Sequence, residues 1–327
     1  MICPTCQAES RKFGKDRYGN QRFQCLTCKK TFSDRPAEPL DDMRLDMDKA
    51  ILCLKLLTEG NSIRATGRIS GVAKNTILAL LAVVGEKCET LLRTRLKDIP
   101  ATNVQADEIW GFVRMKEKQA QKKNAANDVG DAYCFVATDR HTKLILAWHL
   151  GKRDGMNTIE FMEKVVASTR GHFQLDTDGF RAYPQVVSAV FESYGRTVDH
   201  AAVIKTYGKL DDDHRYSPSA VLTTEYVCCS GAPDLSKACT SHIERQNLQI
   251  RMQTRRMTRL TNAFSKKWEN HAYALALHFA TFNFVTPHGT LSKEAGRKTT
   301  PAMAAGLADH PWTLEELLQE ATASTQR

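Results

Sequence analysis

Two Cys-x2-Cys pairs, Cys3/Cys6 and Cys25/Cys28, fall within the first 28 residues, with 18 residues between the pairs. Each pair can curl into a tight knuckle that points two thiolates at one ion. Two knuckles joined by a hairpin complete a tetrahedral sulfur shell, which suits one structural Zn²⁺. Four protein ligands leave no coordination position for a substrate, so such a metal holds the chain and does no chemistry. The intervening Tyr18-Gly19-Asn20-Gln21-Arg22-Phe23 reads as strand, Gly-Asn turn, strand, as a zinc ribbon needs. The other six of the ten cysteines are scattered. Cys53, Cys88 and Cys134 lie in apolar patterns as small core residues. Cys228, Cys229, Cys239 and His242 make a poor second site, because adjacent cysteines are awkward for a knuckle.

The rest of the chain divides by composition. Its 327 residues suit two or more domains of about 100–200 residues, and 42% apolar content excludes wholesale disorder. The longest apolar run, Ile77 to Val84, is eight residues, against about 20 needed to cross a bilayer. Met1-Ile2-Cys3-Pro4 does not open a signal peptide. These features predict a soluble, cytoplasmic protein without a membrane partner. Residues 1–40, the ribbon, carry eight basic and four acidic side chains, and Pro36 and Pro39 mark a linker. Residues 41–98 read as a helix-turn-helix domain. A helix over 43–59 ends at Gly60-Asn61, Ser62 caps a short helix over 63–69, and Ser70-Gly71 precedes a helix over 73–96. Lys74, Asn75 and Thr76, at the start of that last helix, would face DNA.

Asp98-Ile99-Pro100 opens a third unit over 99–286. Segments 104–113, 133–138 and 144–150 read as three strands, with 115–130 a loop or hairpin tip. Helix 158–168, strand 172–178, helix 183–194 and strand 198–204 follow, which predicts a meander continued by alternating units in a mixed sheet. Neither G-x-G-x-x-G nor a P-loop occurs. Residues 206–239 read as a turn-rich insertion and 241–285 as a helical block. Residues 287–327 read as a tail with a short helix over 313–323.

Three acidic positions interrupt this pattern. Asp107 and Glu108 break an apolar strand beside Trp110, and alternation puts them on opposite faces, so only one is expected in a given site. Asp176 and Asp178 share a face where a later strand ends. Glu244 is followed by 24 residues with seven basic side chains and no acid: Arg245, Arg251, Arg255, Arg256, Arg259, Lys266 and Lys267. The ribbon, at net +4, and 243–268, at net +6, together hold all of the chain's +9 excess. Carboxylates from separate elements within a basic field are what two divalent cations need to act on a phosphodiester. Mg²⁺ and Mn²⁺ prefer oxygen ligands, and a pair of ions can serve both the attacking and the leaving oxygen.

The motifs Asp107-Glu108-Ile109-Trp110, Thr177-Asp178-Gly179-Phe180-Arg181-Ala182-Tyr183 and Ile243-Glu244-Arg245-Gln246-Asn247-Leu248-Gln249-Ile250-Arg251 resemble those of insertion-sequence DDE transposases, in particular the family of the first-numbered insertion sequence. The third motif continues into Arg256-x2-Arg259 and Phe264-Ser265-Lys266-Lys267, and the likeness covers nearly the whole chain. It implies a multidomain α+β protein: zinc ribbon, helix-turn-helix, and an RNase H-like mixed-sheet catalytic domain with a helical C-terminal extension. By match to these motifs, Asp107, Asp178 and Glu244 would be the catalytic triad holding two Mg²⁺ or Mn²⁺. Asn247, Arg251, Arg255, Arg256, Arg259, Lys266 and Lys267 would support the triad or touch DNA. The partners implied are terminal inverted repeats, target DNA and a second copy of the chain in a dimer or larger assembly. Sixty-five residues separate Asp178 from Glu244, more than in compact relatives, an excess matched by the 206–239 insertion. Two alternatives are a non-catalytic DNA-binding regulator derived from a transposase, and a nuclease of the same fold that cuts without joining.

Overall fold

The computed structural model describes residues 1–16, 19–33, 38–208, 220–259 and 261–325. The N-terminal segment is a three-stranded antiparallel sheet of β1 (Ser10–Lys15), β2 (Gln21–Cys25) and β3 (Thr31–Ser33). Its first turn is held by the Asp16 carboxylate, which accepts from the Asn20 backbone N–H at 3.0 Å and from its side-chain amide at 3.1 Å. The strand before that turn ends at Lys15. Arg17, Tyr18 and the linker residue Pro36 lie outside the described residues.

Helices α1 (Met47–Thr58) and α2 (Ile63–Ser70) start at side-chain caps, Asp46 and Ser62 respectively. Gly71, at φ +72°, adopts the left-handed conformation that ends α2. The chain then turns by 113° into α3 (Lys74–Arg95), an angle within the range of helix-turn-helix units. At 22 residues, α3 is long for that role. It packs on α8 (Trp268–Phe284) and α11 (Leu314–Ser324), with Arg95 in its last turn paired closely with Glu320. A Cβ at Gly85 would lie 2.4 Å from the Tyr273 Cβ, so glycine is what lets α3 and α8 approach.

Six strands form the main sheet: β5 (Asn103–Val113), β6 (Gly130–Asp139), β7 (Ile145–Gly151), β9 (Gln174–Thr177), β10 (Asp199–Gly208) and β11 (Ala220–Ser230). The two-residue strands β4 (Ile99–Pro100) and β8 (Thr169–Arg170) pair separately, in parallel. The order across the main sheet is β11-β10-β9-β5-β6-β7. β5, β6 and β7 are an antiparallel meander, while β9 and β10 run parallel to β5 on its other side. This is the mixed sheet that the segment order predicts. Helices α5 (Gly155–Ser168) and α6 (Tyr183–Ser193) supply the crossovers. Phe161 of α5 packs on Phe135 at 5.5 Å on one face, and Phe279 of α8 packs on Trp148 at 5.5 Å on the other.

Four expectations need correcting. Segment 115–130 is not all loop, because it holds α4 (Glu117–Lys122), tied to β6 by reciprocal Glu117–Asp131 bonds of 3.0 Å. Segment 206–239 is not all turns: among its described residues, β10 runs to Gly208 and β11, over Ala220–Ser230, pairs antiparallel with it. Asp211-Asp212-Asp213 and Pro218 fall outside the described residues. The helical block 241–285 is broken. Helix α7 (Ser241–Gln253) gives way to a 3-10 turn (Arg255–Met257) and irregular chain before α8. Finally, the described part of 287–327 is more than a tail with one short helix, although α11 falls where that helix is expected. It forms α9 (Gly289–Ala295), α10 (Pro301–Ala304) and α11, and Trp312 stacks on Phe284 at 4.4 Å.

Candidate functional site

The register of β9 against β5 creates the site. β9 stops at Thr177, opposite Ala106. Beyond that point β5 has no neighbour on that side until Val113 bridges Ser265, and Asp178, the next residue after β9, falls beside Asp107 and Glu108. Side chains from both faces of β5 can then meet around an open edge. Carboxylate oxygens of Asp107, Glu108 and Asp178 accordingly lie within 4.8 Å of one another. The alternation argument, which admitted only one of the adjacent pair, fails here because it assumes a strand flanked on both sides. Asp176, still inside β9, is not in this group. Its carboxylate accepts from Gln174 at 2.8 Å and from the Cys239 amide at 3.2 Å.

Each member of the group is held from a different element. Asp107 accepts from the Glu108 amide at 2.8 Å and, through its other oxygen, from the Asn247 side-chain amide on α7 at 2.8 Å. Glu108 accepts from Tyr183 Oη at 3.0 Å and pairs closely with Arg153. Arg153 also approaches Asp178 at 3.6 Å and lies 4.3 Å over the Phe180 ring. Asp178 accepts from the Phe180 amide at 3.0 Å. Three carboxylates in a desolvated space cannot all ionise cheaply. Burial, then the charge of Asp178 and of Glu108, pushes the Asp107 carboxyl up to about 8. Burial and Asp178 push Glu108 up to about 7 against the opposing pull of Arg153. Burial also raises Asp178. Such a site gains from a multivalent cation, and its all-oxygen donor set fits Mg²⁺ or Mn²⁺.

Glu244 stands outside this close group. It sits in the first turn of α7, where Thr240 Oγ1 donates to it at 2.7 Å and Lys205 of β10 pairs closely with it. Its charge still bears on both Asp107 and Asp178. Glu108, Arg153, Lys205 and Tyr183 are the site residues that sequence reasoning did not assign. Tyr183 was in plain view, in the same seven-residue motif as Asp178.

The basic residues divide into two groups. Arg251 donates to the Met257 and Trp110 carbonyls at 2.8 and 3.2 Å, and Arg256 bonds Ser265 Oγ at 3.3 Å and the Asn270 carbonyl. These bonds tie the end of α7 and the 3-10 turn after it to β5 and to the start of α8. Lys74, Arg255, Lys266 and Lys267 line a cleft of about 960 Å³ between α2, the start of α3 and the α7–α8 connection, and Arg256 lines it as well as making those bonds. Arg64 lines it too, and no acidic residue does among those described. Asn75 is exposed and Thr76 half-buried on the first turn of α3, and Arg259 is exposed.

In the ribbon, sulfurs of Cys3, Cys6, Cys25 and Cys28 converge within 4.8 Å. Cys3 and Cys28 are 3.6 Å apart, and Cys6 and Cys25 are 3.4 Å apart. Tetrahedral Zn–S bonds of about 2.3 Å place sulfurs about 3.8 Å from one another, so the cluster fits one zinc ion. The amides of Thr5 and Thr27 donate to Cys3 and Cys25 at 3.4 Å, as knuckle turns do. Among the described residues there is no second such cysteine cluster. No single helix is long and apolar enough to cross a membrane. No protein-family model matches the chain.

Proposed function

We propose that the chain is a DNA transposase of the DDE class, which cleaves DNA at the ends of an insertion sequence and joins the cut end to target DNA. The observation that carries this reading is the placement of Asp178 beside Asp107 by the end of β9, with Asn247 of the basic α7 on the second Asp107 oxygen. A central first strand, an antiparallel meander to one side and parallel strands to the other support an RNase H-like assignment.

In this reading Asp107, Glu108 and Asp178 hold divalent cations, with Glu244 facing them from α7. Bound there, two ions would activate a water or 3′-hydroxyl nucleophile and stabilise the departing oxygen. Asn247 orients the Asp107 carboxylate, and Tyr183 and Arg153 orient Glu108. The basic cleft neutralises phosphates next to the first turn of α3, which would read terminal inverted repeats. The four-cysteine ribbon, closed by zinc, adds a second basic DNA contact. Two element ends must be handled together, so the active form in this proposal is a dimer or larger.

The test is a strand-transfer assay. Full-length protein, Mg²⁺ and duplexes carrying the inverted repeats that flank its gene should give a nick and then a joined product. Asp107→Ala, Asp178→Ala and Glu244→Ala should each abolish both products and retain terminal DNA binding. Nicking that survives in these variants overturns the site; cutting without joining reduces the protein to a nuclease.

A further inference from the structure

One face of β5 continues past Glu108 with Trp110 and Phe112, each half-buried. Trp110 lies 5.7 Å from Phe112, and Phe112 lies 4.9 Å from Phe264 on the α7–α8 connection. Lysines flank this row: Lys116 stands 5.7 Å over Trp110 and Lys266 stands 4.7 Å over Phe264. Both Phe264 and Lys266 also line the basic cleft. The row starts at the carboxylates, since Glu108 and Trp110 are two residues apart on one strand face, about 7 Å. Asp131, opposite Phe112 in register, is taken up by the Glu117 amide at 3.0 Å, which draws its charge away from the rings.

We propose that Trp110, Phe112 and Phe264 form a stacking track for single-stranded DNA, leading from the carboxylate group into the basic cleft. Aromatic rings at the surface accept the face of any base, and flanking lysines take the phosphates. Duplex DNA fits poorly, because its base faces are covered by their neighbours. An unpaired segment beside a cut strand presents them. The inference rests on the proposed function for its identification of DNA, but its test requires no cutting.

Fluorescence anisotropy of labelled dT12 and of a 20-base-pair blunt duplex, with full-length zinc-loaded protein and no added Mg²⁺, reads the track directly. Trp110→Ala and Phe264→Ala should each weaken dT12 binding by roughly tenfold, while Trp110→Phe, which keeps a ring, stays close to the unaltered protein. Duplex binding should change little in all three. Unchanged dT12 binding in both alanine variants overturns the track, and so does an equal loss on duplex. Phe264 lies in irregular chain, so its alanine variant remains informative if Trp110→Ala misfolds. Ring-dependent dT12 binding alongside a failed strand-transfer assay would support the track and reject the transposase reading.

Discussion

Asn247 Nδ2 donates to Asp107 Oδ2 at 2.8 Å, joining the basic helix α7 to the middle of β5. The two residues are 140 positions apart, and the contact fixes the rotamer of the most strongly perturbed carboxylate in the site. A hydrogen bond to a charged acceptor contributes about 1.5–3 kcal/mol. Asn247→Ala should therefore slow cleavage at least roughly tenfold while terminal DNA binding, measured by gel shift, holds. Asn247→Asp should be worse, because it adds a fourth negative charge.

The raised carboxyls set a pH dependence of known sign. Asp107 at about 8 and Glu108 at about 7 lie above their values in an unfolded chain, so the metal-free fold binds protons more tightly than the unfolded state does. Their stabilising contribution is full only below the ordinary carboxyl values of 3.8 and 4.5, falls steadily as pH rises above them, and is gone above about 8. Metal-free protein should melt at lower temperature at pH 8.5 than at pH 6, by calorimetry. Cation binding opposes this, since ligands must shed those protons. Mn²⁺ affinity by titration calorimetry should rise from pH 6 to pH 8.5, and Asp107→Asn should flatten both trends.

Removing the proposed zinc should act locally. A small sheet closed by four sulfurs has little core of its own, with Phe23 and Phe32 its main apolar contact at 5.9 Å. Chelation or Cys25→Ser should unfold residues 1–33 and weaken terminal DNA binding, while amide exchange in β5, β6 and β7 stays protected.

Gly85→Ala should be costly although alanine favours helix. The added methyl meets Tyr273 at 2.4 Å, including its backbone, and overpacking of this kind costs about 1–3 kcal/mol. A fall in melting temperature of several degrees is expected, and an unchanged value would mean that α3 and α8 pack less closely than described.

Much of the sheet was legible because its strands are strongly patterned: Val104 to Val113 and Tyr133 to Thr138 form strands with only small shifts at their ends. Asp107 and Asp178 were legible because charge is costly inside apolar strands. What sequence could not supply was register. Glu108 enters the site only because β9 stops opposite Ala106, a fact about pairing that no local pattern contains. Arg153 and Lys205 are ordinary surface-type residues until folding puts carboxylates beside them. The β10–β11 pairing was missed because Thr, Cys and Ser dilute the apolar alternation of β11, and its exposed face has no core to signal.

The uninterrupted course of α3 has a metric consequence. Its first turn borders the basic cleft, and the helix packs on α8, which backs the sheet. Under the proposed function, the distance from the bases that turn would read to the carboxylates is thus ruled by one rigid rod. Inserting a single alanine in its middle would swing one end by about 100° relative to the other, so recognition and cutting would fall out of step even with every side chain in both places intact.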